Sequence, residues 1–251
     1  MKKYIIALIA LSSIYACKQD EYYLYNDVKR LQFGPDITRI YQTNYNLADT
    51  VKRQTFYYTP EKQTDTVYFD IYAIGGKTDH DRTFTLKQIE REGENSAIPG
   101  VHYQAFTDAK SKELYTIKAG AVHKRIPIVL FKDASLKENT YILHFEIQED
   151  ENFKLGEKSN IWRRLETTDR LSKPDAWAST IQTQLLGTYS VRKHQFLIET
   201  TGDKWDQEFI SGISLAELDY YKAIMTMAVL NYNKTNTESL KDENGLEIKF
   251  P

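Results

Sequence analysis

Thiol chemistry is almost absent from this sequence, whose 251 residues include one cysteine, Cys17. A lone thiol excludes an intrachain disulfide and a multi-thiolate zinc centre, so packing must hold the fold. An excess of either charge is missing too. Lys and Arg number 33 against 35 Asp and Glu, a formal net charge of -2 with no basic stripe, which argues against a nucleic-acid partner. After the N-terminal stretch no long apolar run follows, so no membrane-spanning helix is expected in the body of the chain. There is no Gly-x-Ser-x-Gly elbow, phosphate loop or dinucleotide fingerprint. None of the five histidines, His80, His102, His123, His144 and His194, stands in a His-Glu-x-x-His or comparable zinc spacing. No cofactor and no catalytic residue is therefore expected. One gap stays open, because the paired carboxylates of a glycosidase converge only in the fold.

What is present begins with Lys2-Lys3 and Tyr4-Ile-Ile-Ala-Leu-Ile-Ala-Leu, a basic end and an apolar segment of the export-signal type. The run from Tyr4 to Ala16 is too short to span roughly 30 Å of hydrocarbon at about 1.5 Å per helical residue. Residues 1–16 are read as a cleaved signal peptide. Ile14-Tyr15-Ala16-Cys17 resembles the lipobox of bacterial lipoproteins, which implies that Cys17 receives diacylglycerol and fatty acid and becomes the mature N-terminus. Lys18, Gln19, Asp20 and Glu21 resemble the surface-export signal of Bacteroides-type lipoproteins. The localisation implied is the outer membrane, lipid-anchored and exposed at the cell surface, with residues 17–28 as a tether. The competing readings are an ordinary cleavage site and a solvated charged spacer.

The 18 tyrosines and 11 phenylalanines fall mostly in runs of alternating polarity, the pattern of half-buried strands. Strands are predicted over residues 66–74, 82–90, 115–120, 124–131 and 140–147, separated by Gly, Asp and Asn turns. Pro127 lacks a ladder N–H and marks an edge. The pattern predicts a mainly β chain, an immunoglobulin-like β-sandwich over residues 29–170 followed by a small α+β domain over residues 171–251. The boundary is the Ser-Lys-Pro-Asp interruption within residues 169–177. Beyond it, residues 187–198 read as a strand. Residues 214–230 read as a helix with a Ser214/Glu217 capping box, its stripe of Leu218, Tyr221, Met225 and Ala228 packing on the core.

Several stretches together resemble a family of Bacteroides-type surface lipoproteins of unknown function. They are Asp65-Thr-Val-Tyr68, Gly75 with Asp79-His-Asp-Arg82, Gly100-Val-His-Tyr103, Ile117-Lys-Ala-Gly120, Leu136-Lys137, Asn152-Phe153, residues 171–177, Gly187-Thr-Tyr-Ser190, Asp242-Glu-Asn-Gly245 and Phe250-Pro251. The first half is also similar to the Calx-β type of sandwich. The resemblance implies an accessory subunit of a SusC/SusD-like TonB-dependent nutrient importer, holding a peptide or oligosaccharide or bracing the complex, and it supplies no catalytic residues. A surface-tethered hydrolase and a structural or adhesive module are the alternatives.

Asp79 and Asp81 are the strongest metal candidates, since calcium sites use closely spaced carboxylates. Arg82 beside them and the thin acidic clusters elsewhere, Glu149-Asp150-Glu151 being the nearest, favour a turn fixed by pairing with Arg82. Tyr22, Tyr23, Tyr25, Tyr41, Tyr45, Tyr220 and Tyr221 could offer rings to a sugar, a peptide or a neighbouring protein. Half-buried packing is the competing role. The lipobox reading has its own test: Cys17→Ser should abolish labelling by a fatty-acid analogue and release the protein from the membrane fraction, whereas persisting label contradicts it.

Overall fold

The computed structural model describes residues 28–41, 50–178 and 186–251. Cys17, Lys18, Gln19, Asp20, Glu21, Tyr22, Tyr23, Tyr25 and Tyr45 lie outside the described residues. Alternation builds the first part of the chain. The strands are β1 (Arg30–Gly34), β2 (Val51–Thr55), β3 (Thr64–Ile74), β4 (Arg82–Thr83), β5 (Thr85–Ile89), β6 (Thr116–Ile117), β7 (His123–Phe131), β8 (Tyr141–Gln148), β9 (Lys154–Leu155) and β10 (Trp162–Thr168). One mixed sheet has the order β7-β3-β1-β9, a second has β2-β10-β8-β5, and β4 pairs with β6. β1 with β9 and β2 with β10 are the parallel pairs. β7 ends its sheet, as Pro127 requires: it pairs with β3, with Pro127 opposite Tyr68.

Leu31 and Phe33 of β1, Phe69 and Ile71 of β3, Leu143 and Phe145 of β8 and Leu165 of β10 share one buried cluster between the two sheets. Phe145 stands edge-on to Phe33 at 5.7 Å and to Phe69 at 5.2 Å, joining sheet to sheet.

The second part is helical. After the short helix α1 (Ser111–Leu114) come α2 (Val191–Thr201), α3 (Gln207–Gly212) and α4 (Leu215–Thr235). The predicted strand at 187–198 is therefore corrected to a helix. Ser190 caps it by accepting from Lys193 N, and its buried residues Lys193, His194, Phe196 and Leu197 recur at helical spacing. Two of those four are polar, which hid the period. Lys193 tolerates burial because its Nζ donates to Leu186 O at 3.1 Å and Lys249 O at 2.9 Å. The α+β expectation for residues 171–251 changes likewise: among the described residues this part holds helices and one antiparallel bridge, Lys241 with Glu247.

The capping box at Ser214 and Glu217 is present, with Leu218 and Met225 buried. The predicted strand 82–90 is divided. β4 joins β6 and β5 joins β8, with buried Phe84 between them. Strand 115–120 shortens to Thr116–Ile117.

Phe145→Ala should lower the free energy of unfolding by roughly 3–5 kcal/mol, through lost ring burial plus a cavity. Tyr41→Ala, at a side chain 96% exposed, should stay within about 0.5 kcal/mol. Urea titration of both variants checks the contrast.

Candidate functional site

β2 is an edge strand paired with β10 over the register Val51↔Arg164 to Thr55↔Thr168. Its polar sequence, Val-Lys-Arg-Gln-Thr, leaves side chains free to face the chain that follows β10. That chain, residues 169–175, is bound back onto the sheets. Thr55 Oγ1 donates to Arg170 O at 2.9 Å, Asp169 N donates to Leu136 O at 2.9 Å, and the shielded pair Lys132–Asp169 closes at 3.3 Å. Arg53 then ties strand to linker: its guanidinium lies 3.2 Å from Glu166 and 2.6 Å from Asp175.

The result is a hollow of about 490 Å³ bordered by Arg53, Thr55, Glu166, Lys173, Asp175 and Asp206. A second hollow of about 440 Å³ shares Thr140, Thr168 and Ser172 with it and adds Tyr57 and Arg170, so the two form one groove between β2, the linker and the helices.

The groove has an aromatic border. Tyr58 lines the first hollow and Tyr57 the second, their rings edge to face at 5.5 Å. Beneath them His194, fully buried, has Nε2 at 3.5 Å from the Tyr58 hydroxyl and Nδ1 at 3.4 Å from the Tyr189 hydroxyl. A neutral imidazole offers one donor and one acceptor, so at most one of the two phenols accepts from it. Burial holds His194 neutral, its pKa brought down to about 4. Burial, with Asp206 adding to it, pushes the Tyr58 phenol upward, so both partners stay uncharged.

Chemically the groove can bind. A glycosidase-type acid needs a carboxyl left free in apolar surroundings. Here Glu166 contacts both Arg53 and Arg164, Asp175 contacts Arg53, and Asp206 accepts from Phe209 N as the cap of α3. From Glu166 a line of charge continues over the sheet: Arg164 at 3.0 Å, then Glu94 at 2.7 Å from Arg164, then His144 at 2.9 Å from Glu94. His144 is lowered by burial and by Arg91.

The metal candidates do not converge with anything. Asp79 sits beside His80 at 2.8 Å, and Asp81 accepts from Lys118 Nζ at 2.8 Å and Ala119 N at 2.9 Å. Asp81 does fix a turn, but with Lys118 in place of the expected Arg82. Arg82 is buried, donates to Ala121 O at 3.1 Å and lies over the Phe153 ring at 4.9 Å. No group of three His, Cys, Asp or Glu placed for a metal ion occurs among the described residues.

The remaining histidines have structural partners: His102 stacks on Tyr141 at 3.8 Å and His123 meets Asp70 at 2.5 Å. Of the flagged tyrosines, Tyr41 and Tyr220 are exposed, while Tyr221 donates to Asp203 at 2.8 Å. Sequence reasoning missed Arg53, Tyr57, Tyr58, Glu166 and Asp175. The run Tyr57-Tyr58-Thr59-Pro60 after a polar stretch was the available signal. The Ser-Lys-Pro-Asp interruption, read as a boundary, is the groove's wall.

A family model described as a domain of unknown function, DUF4843, matches residues 34–203. No curated protein matches the chain in sequence. A two-domain protein of unknown function from Bacteroides fragilis is similar in structure, at 10% identity and a TM-score of 0.34, over 60% of this chain and 49% of that one. A protein from Bacteroides ovatus, provisionally described as carbohydrate-binding, also has 10% identity and a TM-score of 0.34, over 57% of this chain and 37% of that one. Another Bacteroides ovatus protein, of unknown function, has 14% identity and a TM-score of 0.33, over 57% and 45% of the two chains. The chain thus spans about half or less of each of these proteins.

Burial of neutral His194 makes the junction acid-sensitive. Its folded pKa of about 4 lies below the ordinary 6.5, so the unfolded chain binds the proton first and stability falls as pH drops through that window. The loss from pH 7 to pH 4 should be about 3 kcal/mol from this residue. Urea unfolding of His194→Gln should lack that component, while a parent-like slope in the variant would show that the window belongs to other groups.

Proposed function

We propose, for a chain that belongs to the family of the domain of unknown function DUF4843, a non-enzymatic ligand-holding role at a membrane surface. The protein acts as a surface-anchored accessory lipoprotein of a SusC/SusD-like TonB-dependent uptake complex, offering the groove to a peptide or glycan. The two-sheet part is its immunoglobulin-like, Calx-β-like platform. In support, most strand pairs are antiparallel, and Gly100, at φ +78°, makes the turn into Tyr103 with Gly100 N donating to Tyr103 O at 2.8 Å. Cys17 and residues 18–21 support the anchor and its outward face.

One observation carries the binding reading: an open groove along an edge strand whose three carboxylates are engaged by guanidinium groups or a helix cap, with two tyrosines on its border. Such a wall recognises hydroxyls and amides by hydrogen bonds and apolar faces by the rings. A hydrolase would need one carboxyl freed for proton transfer.

Gentle detergent extraction of native membranes should bring the protein down with a TonB-dependent transporter, and its absence from that complex would remove the importer role. Peptide and glycan arrays should give a saturable signal with one ligand class. Arg53→Ala should weaken it on the order of tenfold, since the variant loses charged hydrogen bonds and the tie between strand and linker. No saturable signal on either array would leave a structural module.

A further inference from the structure

Helix α4 is apolar on two sides. Leu218, Met225 and Val229 face the helical core. On the opposite side Ala216, Tyr220, Ala223, Met227 and Leu230 are all exposed, with Tyr220 at 62% and Met227 and Leu230 at 57% each. These outward residues are spaced four, three, four and three apart, the period of a coiled-coil seam and not of a solvated surface. A helix facing water on that side would carry polar residues there.

We propose that this seam pairs with the same seam of a second copy of the chain, the two α4 helices running antiparallel. Register is the first argument. When two helices spanning Leu215–Thr235 overlap over their full length in opposite directions, Tyr220 falls opposite Leu230 of the copy, Ala223 opposite Met227, and Ala216 opposite Lys234. Full overlap and matched layers coincide, and the long Met227 meets the small Ala223 in each half.

Charge is the second argument. The acidic Asp219 lies toward one end of the seam and Lys234 at the other, both exposed, so the antiparallel arrangement brings acid to base at both ends. A parallel pair would set like beside like. The opposed helix dipoles favour the same direction.

A partner of different chemistry fits less well. A helix lying on an anionic membrane carries Lys and Arg along its polar margin, whereas this helix holds as many acids, Glu217 and Asp219, as bases, Lys222 and Lys234. The helix runs over 21 residues, about 30 Å at helical rise, and the seam from Ala216 to Leu230 covers about 20 Å of it. One helix pair of that length is smaller than a standard interface of about 800 Å² per partner, so the association is concentration-dependent.

The test uses full-length chains in their own membrane. Two copies with different tags are co-expressed, one with Ala223→Cys and the other with Met227→Cys, and the mixed disulfide between tags is measured against chains lacking both changes. The expected result is a strong 223–227 cross-link and little cross-link when Ala216→Cys is mated with Ala223→Cys. Met227→Glu in the Ala223→Cys copy, at an exposed and fold-tolerant position, should lower the yield on the order of tenfold. Lys234→Glu should also lower it, and Asp219→Lys in the mating copy should restore it. Absence of the 223–227 cross-link overturns the pairing, as does a dominant 223–223 cross-link, which marks a parallel pair. Loss of membrane association in Met227→Glu, with the cross-link unchanged, assigns the seam to lipid and overturns the proposal too.

Discussion

Phe145, pressed edge-on between Phe33 and Phe69, is the contact on which the rest depends. It joins the two sheets at their centre, with Leu143, Leu165, Leu31 and Ile71 closing around it. With Cys17 the only cysteine, no intrachain cross-link shares this task. Edge-to-face rings add about 0.5–1.5 kcal/mol per pair beyond their area, and they fix the separation and offset of the sheets.

A second constraint positions the helices. The buried His194 imidazole touches phenols from both sides, Tyr58 from the chain after β2 and Tyr189 from the segment before α2. Trp177 packs on the same ring at 5.5 Å and donates through Nε1 to Gly187 O at 2.9 Å. Arg53 and Asp175 repeat the link at the surface, where an exposed ion pair contributes little energy but sets geometry. At the N-terminus of α2, Glu243 accepts from Val191 N and Arg192 N, and the Lys193 ammonium lies 5.2 Å from the Phe250 ring. Polar contacts therefore organise the helical part as much as apolar ones do. The groove lies where the two kinds of packing meet.

Legibility from sequence follows the same division. β3, β7 and β8 were readable because apolar residues alternate with polar ones over most of their length, and α4 because its cap and its buried stripe are written at helical spacing. β2 and β10 were not, since β2 has one aliphatic residue and β10 points Arg163 and Thr167 inward alongside Leu165. α2 was misread because a lysine and a histidine occupy its buried face, and only their tertiary partners make that tolerable. The site was invisible for a related reason. Arg53, Glu166 and Asp175 are ordinary surface types far apart in sequence, and what distinguishes them is a convergence that pairing of β2 with β10 creates. The second apolar stripe of α4 was equally present in the sequence, but two opposed stripes on one helix do not say what covers the outer one.

The groove along β2 and the linker is the proposed ligand site. Hydrogen exchange on the purified chain, with and without a saturating array-selected peptide or glycan, tests it most directly. Binding there should slow exchange in residues 51–58 and 166–175, with β3 and β7 unchanged away from the groove. Slowed exchange confined to other faces at saturation would contradict it.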